Sequence, residues 1–130
     1  MSPANKKTDK KAPDKFEQSI KALEHAVGFS KQAEEDPFYS AGIAKTFETC
    51  LEYAWKYLKR RAIEEGLEVY SPKEAIKQAG RLGIIDNVEH WLNYLEDRNL
   101  AVHDYLGVSE EEYLNTIRDF LRDVKRIKRS

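Results

Sequence analysis

Four residues in one short stretch of this chain have side chains that could act on a phosphate ester. The stretch EDRNLAVHDY, residues 96–105, contains Arg98, Asn99, His103 and Tyr105. Histidine titrates near neutral pH and can take or give a proton, while the planar, always charged guanidinium of arginine matches phosphate oxygens. This pairing suits cleavage of RNA by attack of the adjacent 2′-hydroxyl, which needs no metal. His103 would be the acid or base, Arg98 would stabilise charge on phosphorus, and Asn99 would hold the histidine or a phosphate.

Helical geometry divides these four residues into two rows. Residues five apart lie about 140° around a helix axis, so Arg98 and His103 do not share a row. Asn99 and His103 are four apart and lie on one face, and Arg98 and Tyr105, seven apart, align on another. The two rows could meet at one ligand if the helix bends or if a second copy supplies the opposite wall. A two-fold homodimer would provide that wall.

A solvated helix face is the alternative interpretation of the same stretch. Arg98 would then be a surface arginine paired with an acid, although the positions three and four residues away on its own helix are apolar or aromatic. An acidic partner would therefore have to come from another helix. His103 would be a half-buried histidine, and Tyr105 a packing aromatic. The spacing alone leaves both interpretations open.

The elements that must position this stretch are predicted to be helices. Apolar residues recur at three- and four-residue spacing along nearly the whole chain after residue 13. The first helix is predicted to end at Asp36-Pro37, a long helix to span residues 39–65 before Gly66, and the sequence SPKE to cap a short helix ending near Gly83. Two further helices follow. The predicted fold is an all-α, up-and-down bundle of four to five helices. Its predicted inward-facing residues are Phe16, Ile20, Leu23, Val27, Ile43, Phe47, Cys50, Leu51, Ala54, Leu58, Val88, Trp91, Leu92, Leu95, Val102, Leu114, Ile117, Leu121 and Val124.

Length and composition favour one helical domain. The chain has 130 residues, of which 41% are hydrophobic and 35% charged, enough for one core. We expect residues 1–13, rich in lysine and almost free of apolar residues, to be a disordered basic tail, and residues 14–130 to form the helical domain. No apolar run approaches the roughly 20 residues that cross a bilayer, and no hydrophobic segment follows the lysines, so neither a membrane span nor a secretory signal is expected. The single cysteine, Cys50, excludes an internal disulfide and favours the cytoplasm.

The net charge of −1 is unevenly distributed. Residues 1–15 have five lysines against two aspartates, a net charge of +3, and residues 118–130 have six basic against two acidic residues, a net charge of +4. The segment between them therefore carries −8. Basic ends on an acidic body could contact a polyanion or could serve only solubility.

Other candidate sites are weaker. His25 and His90 are far apart in sequence, and no ligands cluster at metal-binding spacing, so neither a metal nor a cofactor is expected. The sequence has no glycine-rich phosphate loop. Cys50 falls in an apolar stripe and is interpreted as a core residue rather than a nucleophile, and Trp55 and Trp91 are also expected in the core.

Several segments resemble one known family. They are FETCLEYAWKYLK, SPKEAIKQAGRLGIID, WLNYLEDRN and RNLAVHDY, and the resemblance covers most of residues 15–128. The chain resembles HEPN-domain toxins (HepT-like) that are paired with a minimal nucleotidyltransferase antitoxin, proteins also described as nucleotidyltransferase substrate-binding proteins. The family motif is an arginine, four residues, a histidine, one residue and a tyrosine, which here are Arg98, His103 and Tyr105. Asn99 matches the polar residue that commonly follows the arginine.

The resemblance implies a fold, an activity and a partner. The fold would be a dimeric helical bundle with paired motifs lining a cleft. The activity would be that of a type VII-like toxin, a metal-independent endoribonuclease acting on tRNA or mRNA, with Arg98 and His103 catalytic and Asn99 supporting. The partner nucleotidyltransferase would attach AMP to Tyr105 and silence the toxin, because a bulky, negatively charged group beside the motif would repel RNA phosphates.

Two other functions stay open at this point. Proteins like this one are also described as non-catalytic subunits that bind a substrate or nucleotide for a two-component nucleotidyltransferase. The chain could also be a purely structural helical interaction module. The first alternative shares the fold and the partner with the toxin hypothesis and differs in whether His103 performs chemistry.

Overall fold

The computed structural model describes the backbone at residues 14–103 and 110–127, and side chains at residues 14–98 and 111–127. These residues form helices and no strand, which confirms the predicted all-α class. The predicted basic tail, residues 1–13, lies outside the described residues. The predicted dimer stays a prediction, because the structure contains one chain. In chain order the helices are α1 (Lys15–Val27), α2 (Ser30–Ala33), α3 (Pro37–Glu64), α4 (Pro72–Arg81), α5 (Val88–His103) and α6 (Glu110–Lys125).

Local sequence signals set most of the helix ends. The Asp36 carboxylate accepts a hydrogen bond from the Phe38 amide at 3.0 Å at the start of α3, where Pro37 needs no hydrogen-bond acceptor. Ser71 Oγ accepts from the Glu74 amide at 3.2 Å, as the capping box before α4 predicts. Gly66 and Gly83 follow α3 and α4 with φ of +85° and +74°, left-handed conformations that favour glycine.

The first helix is shorter than predicted. It ends at Val27 rather than at Asp36-Pro37, and the single-turn helix α2 lies between that end and α3. Gly28, a poor helix former, follows Val27, and Ser30 Oγ donates to the Val27 carbonyl at 2.6 Å. The resulting turn places the Phe29 ring on that of Tyr39 in α3, with centroids 5.6 Å apart. The extra turn leaves the predicted bundle otherwise unchanged.

Helix α3 forms the centre of the bundle, and each of the other five described helices contacts it. Its inward face includes Phe47, Cys50 and Leu51, all fully buried as predicted. Trp91 is also buried, whereas the prediction for Trp55 was wrong, since its ring is only partly buried and its N–H donates to Glu52. An aromatic cluster that the apolar spacing did not predict in full fills the middle of the core. It consists of Phe47, Trp91, Tyr94, Tyr113 and Phe120.

A close helix contact fixes the start of α5. Gly80 in α4 lies against Val88, and a Cβ added at Gly80 would come within 2.2 Å of Val88 Cγ2. A side chain at position 80 would therefore force the two helices apart. None of the helices described here is both long and apolar enough to cross a membrane.

Candidate active site

Helix α5 carries most of the candidate motif. Its backbone is helical through His103, so Arg98, Asn99 and His103 all belong to one helix, as the sequence predicts. The side chains of Asn99 and His103, and the whole of Tyr105, lie outside the described residues. Their roles therefore stay predictions, while the structure places Arg98 in detail.

The Arg98 guanidinium lies against an acid on another helix. Its Nη1 donates to Glu52 Oε1 in α3 at 3.1 Å, and the Arg98 side chain is 25% exposed. The sequence required any acidic partner to come from a different helix, and Glu52 is that residue. A charge-assisted hydrogen bond of this length fixes the arginine side chain while leaving part of it at the surface.

Glu52 is itself held by its own helix. Trp55 Nε1 donates to Glu52 Oε1 at 3.3 Å, and Lys56 Nζ lies 3.3 Å from Glu52 Oε2. Both carboxylate oxygens thus have partners, at the three- and four-residue spacings that face each other on a helix. Two cations, Arg98 and Lys56, flank one carboxylate, so this cluster carries a net charge of +1. Such a cluster still attracts an anion such as a phosphate.

One turn before Arg98, a buried hydrogen bond joins α5 to α6. The Tyr94 hydroxyl donates to Asp123 Oδ2, and the two residues are only 3% and 8% exposed. His90 Nδ1 lies 3.7 Å from the same oxygen, and Arg122 Nε lies 3.9 Å from Oδ1. Burial, and then the hydrogen bond to the Asp123 carboxylate, raise the pKa of Tyr94 above its usual value. The hydroxyl therefore stays protonated and anchors α5.

A second contact between the same helices lies beside the motif. Burial raises the pKa of the Asp97 carboxyl, and a hydrogen bond with the Thr116 side chain opposes that rise. Asp97 is adjacent to Arg98 in sequence but interacts with α6, whereas Arg98 interacts with α3. The two charged residues at this point of α5 thus connect it to different neighbours.

The described residues contain no group of three or more histidine, cysteine, aspartate or glutamate side chains that could hold a metal ion. Two open clefts formed by these residues do not have Arg98 among their lining residues. One is lined by residues of α5, α6 and the loop before α5, and the other by Glu34 and residues of α6.

Sequence reasoning missed two residues beside the motif, Glu52 and Lys56. Glu52 is 46 residues before Arg98, and α3 carries a second glutamate, Glu48, one turn earlier. The amphipathic pattern places both glutamates outside the apolar, inward-facing stripe of α3. Only the packing of α5 on α3 selects Glu52, and no short-range signal encodes that packing.

The match to a protein family covers nearly the whole chain. Residues 12–130 match the family described as nucleotidyltransferase substrate binding protein like. The chain belongs to this family. The resemblance inferred from the sequence motifs is therefore confirmed.

The chain also matches one curated protein over part of its length. The Haemophilus influenzae protein named probable ribonuclease HepT is 28% identical over 86 residues, which cover 62% of this chain and 59% of that protein. The match thus spans less than two thirds of the relative's length.

Two solved structures share the fold. A crystal structure of a protein from Thermus thermophilus superposes with a TM-score of 0.73 at 27% identity, covering 85% of this chain and 93% of that one. The Shewanella oneidensis HEPN toxin, solved tri-AMPylated and in complex with an MNT antitoxin, gives a TM-score of 0.71. Its identity is 15%, and the match covers 88% of this chain and 94% of that one. The bundle described above therefore has the HEPN fold.

Proposed function

We propose that this chain is the toxin of a type VII-like toxin–antitoxin pair, a metal-independent endoribonuclease that cleaves tRNA or mRNA in the cytoplasm. The observation that carries the proposal is the partly exposed Arg98 side chain, which belongs to a cluster of net charge +1 with Glu52 and Lys56 and lies five residues before His103 on the same helix. The names of the Haemophilus and Shewanella proteins support the same function. Residues 14–130 would form the domain that carries it.

The proposed reaction is an intramolecular attack within the RNA. The 2′-oxygen bonds to the adjacent phosphorus while the bond from phosphorus to the 5′-oxygen breaks. The products are a 2′,3′-cyclic phosphate and a 5′-hydroxyl. His103 takes the proton of the attacking hydroxyl or gives a proton to the leaving oxygen, and Arg98 stabilises the extra charge on the phosphoryl oxygens. Asn99 supports the histidine or the phosphate.

The proposed site is completed by a second copy of the chain. Residues five apart lie about 140° around an ideal helix axis, so a straight helix does not present Arg98 and His103 on one face. A two-fold dimer would bring a facing motif within reach of the same cleft. Sedimentation at micromolar concentration tests this step, and a monomer would contradict it.

The proposed partner is a minimal nucleotidyltransferase antitoxin that transfers AMP from ATP to Tyr105. The tyrosine oxygen would bond to the α-phosphorus, lose its proton and expel pyrophosphate. The nearby Tyr113 is a poor alternative acceptor, because it is 8% exposed and its ring packs edge-on against Phe47. Mass spectrometry after incubation with the partner and ATP should locate the added AMP on Tyr105, and its location on Tyr113 would contradict the assignment.

The central experiment compares wild type with His103→Ala in the presence of EDTA. Wild type should cleave RNA with or without EDTA and should arrest growth when the partner is absent, while His103→Ala should do neither. His90→Ala is the matched control, since it removes a histidine from the same helix outside the motif. Cleavage that persists in His103→Ala would refute the site, and loss of wild-type cleavage in EDTA would refute the mechanism.

A second candidate function follows from the family's description. The chain would be a non-catalytic subunit that binds a substrate or nucleotide for a two-component nucleotidyltransferase. The dimer cleft would then hold a ligand, and Arg98 would bind its phosphate without cleavage. If wild type alone cleaves no RNA and is harmless, while it binds ATP or a nucleic acid with an affinity that falls in Arg98→Ala, this candidate replaces the first.

A further inference from the structure

We infer that Glu52 is a positioning residue that holds the Arg98 guanidinium in the orientation needed to contact the scissile phosphate. The inference rests on the proposed function and adds a residue to it from outside the motif. Glu52 would not touch RNA but would act through Arg98, to which it is joined by the 3.1 Å contact between Oε1 and Nη1.

The acceptor of this hydrogen bond has further partners on its own helix. Glu52 lies in the middle of the 28-residue helix α3, next to the fully buried Leu51. Its carboxylate is further oriented by Trp55 at one oxygen and Lys56 at the other. An arginine side chain has several rotatable bonds, so a fixed acceptor is needed to hold its guanidinium within the small tolerance that catalysis allows.

The charges around Glu52 remain favourable for a phosphate. If Glu52 simply neutralised Arg98, it would weaken attraction to phosphate. Lys56, whose side chain is 58% exposed, restores the lost charge, so the three groups together carry +1. Glu52 can therefore orient the arginine without abolishing the positive potential, and it also separates two cations that would otherwise repel each other.

The backbone of α5 near Arg98 is held by a different neighbour, helix α6. One helical turn separates Arg98 from Tyr94, whose hydroxyl donates to the buried Asp123 of α6. This anchor holds the backbone of α5 but leaves the direction of the Arg98 side chain undetermined. Glu52 approaches from α3 rather than from α6, and it supplies that direction.

The decisive test is steady-state cleavage of a short RNA by Glu52→Gln, with Glu48→Gln as the matched control. Both substitutions remove one negative charge from α3, one turn apart. Glu52→Gln should lower kcat roughly 10- to 100-fold, because the neutral amide holds the guanidinium more weakly than the carboxylate does, and a misdirected guanidinium misses the transition state. Its KM should stay equal or fall, because the cluster becomes more positive. Glu48→Gln should leave kcat within about twofold of wild type, a shift of less than about 0.5 kcal/mol by the usual conversion.

Four results in these assays would overturn the inference. An unchanged kcat in Glu52→Gln would show that Arg98 needs no negatively charged acceptor at position 52, and a raised kcat would show that Glu52 restrains the enzyme. Equal losses in both variants would show that only the overall charge matters. In an Arg98→Ala background, Glu52→Gln should have no further effect on residual cleavage, and an additional loss there would show that Glu52 does not act through Arg98.

A spectroscopic readout separates this inference from the proposed function. In protein labelled with ¹⁵N-arginine, the Arg98 Nε–Hε signal, assigned with Arg98→Lys, should move in Glu52→Gln and stay in place in Glu48→Gln. If wild type cleaves no RNA, the proposed function fails, and the shift still decides whether Glu52 positions Arg98. If the signal does not move in Glu52→Gln, the positioning role is refuted even where cleavage is observed.

Discussion

The two halves of α5 are held in different ways. In residues 88–95, Trp91 is buried in the aromatic core and Tyr94 donates a hydrogen bond to the buried Asp123. In residues 96–103, the one ion pair with a described geometry joins Arg98 to Glu52, and both side chains keep a quarter or more of their surface exposed. The contacts named in the first half thus exclude water, whereas the contact of Arg98 with Glu52 in the second half is one that water and ligands can reach.

Because of this difference, we expect the first half of α5 to contribute mainly to stability and the second half mainly to chemistry. A buried donor and acceptor are costly to unpair, so the Tyr94 anchor contributes to the folded state. A partly exposed ion pair contributes little to stability because water screens it, yet it can still direct a charged group. Substitutions in the two halves should therefore affect different measurements, and the expected effects differ in size.

The largest effect is expected from Arg98→Ala. It should lower kcat/KM for RNA by about 10²- to 10³-fold, the usual loss when one donor that stabilises a transition-state anion is removed. Its free energy of unfolding in urea should change by less than about 1 kcal/mol, since the pair with Glu52 is exposed. A large loss of stability with little loss of cleavage would reverse the assignment of the two halves.

Tyr94→Phe should show the opposite pattern. Loss of the hydroxyl leaves the buried Asp123 carboxylate with only its longer contacts to His90 and Arg122, so the protein should lose about 1–3 kcal/mol of unfolding free energy. Cleavage per folded molecule should stay within a few-fold of wild type. Tyr70→Phe is the control, because Tyr70 is 78% exposed. Equal stabilities of the two variants would show that the buried bond does not anchor α5.

Alkaline pH provides a milder test of the same anchor. Because the pKa of Tyr94 is raised in the folded state, its hydroxyl holds its proton more tightly there than in the unfolded chain. The contribution of Tyr94 to the free energy of unfolding is fully present below the unfolded pKa of about 10. It is lost as the pH rises above that value, by at most about 1.4 kcal/mol per pH unit. Urea unfolding between about pH 9 and 11 should therefore show a steeper fall for wild type than for Tyr94→Phe. Parallel curves would contradict the prediction.

The smallest stability effect is expected from Glu52→Gln. The side chains of Glu52 and Arg98 are 40% and 25% exposed, so the unfolding free energy should fall by only about 0.2–1 kcal/mol. Thermal unfolding of this variant beside Glu48→Gln gives the measurement. A loss as large as that of Tyr94→Phe would mean that the motif half of α5 is as strongly fixed by α3 as the first half is by α6.

The helices were predictable because their signals are local. Asp36 and Pro37 begin α3, Ser71 caps α4, and Gly66 follows the end of α3, each through contacts within a few residues. The predicted end of the first helix was wrong because Asp36-Pro37 is the stronger local helix-breaking signal, whereas the turn after Val27 involves packing of Phe29 against Tyr39 of another helix.

The site was predictable only in part for the same reason. The spacing of Arg98, Asn99 and His103 on one helix follows from sequence, and the structure places all three on α5. Glu52 depends on the contact of two helices through residues 46 positions apart, and the hydrogen bond from Tyr94 to Asp123 spans 29 residues. Periodicity identifies which face of a helix is buried, but it does not identify which polar groups meet across two faces.

The central position of α3 has a consequence for local unfolding. Since every other described helix contacts α3, the helix cannot leave the bundle without exposing the core, and its amides around residue 52 should exchange with deuterium only through global unfolding. The partly exposed Arg98 side chain can leave its carboxylate at a far lower cost in free energy. The acceptor stays in place during each such excursion, so the arginine returns to the same carboxylate every time.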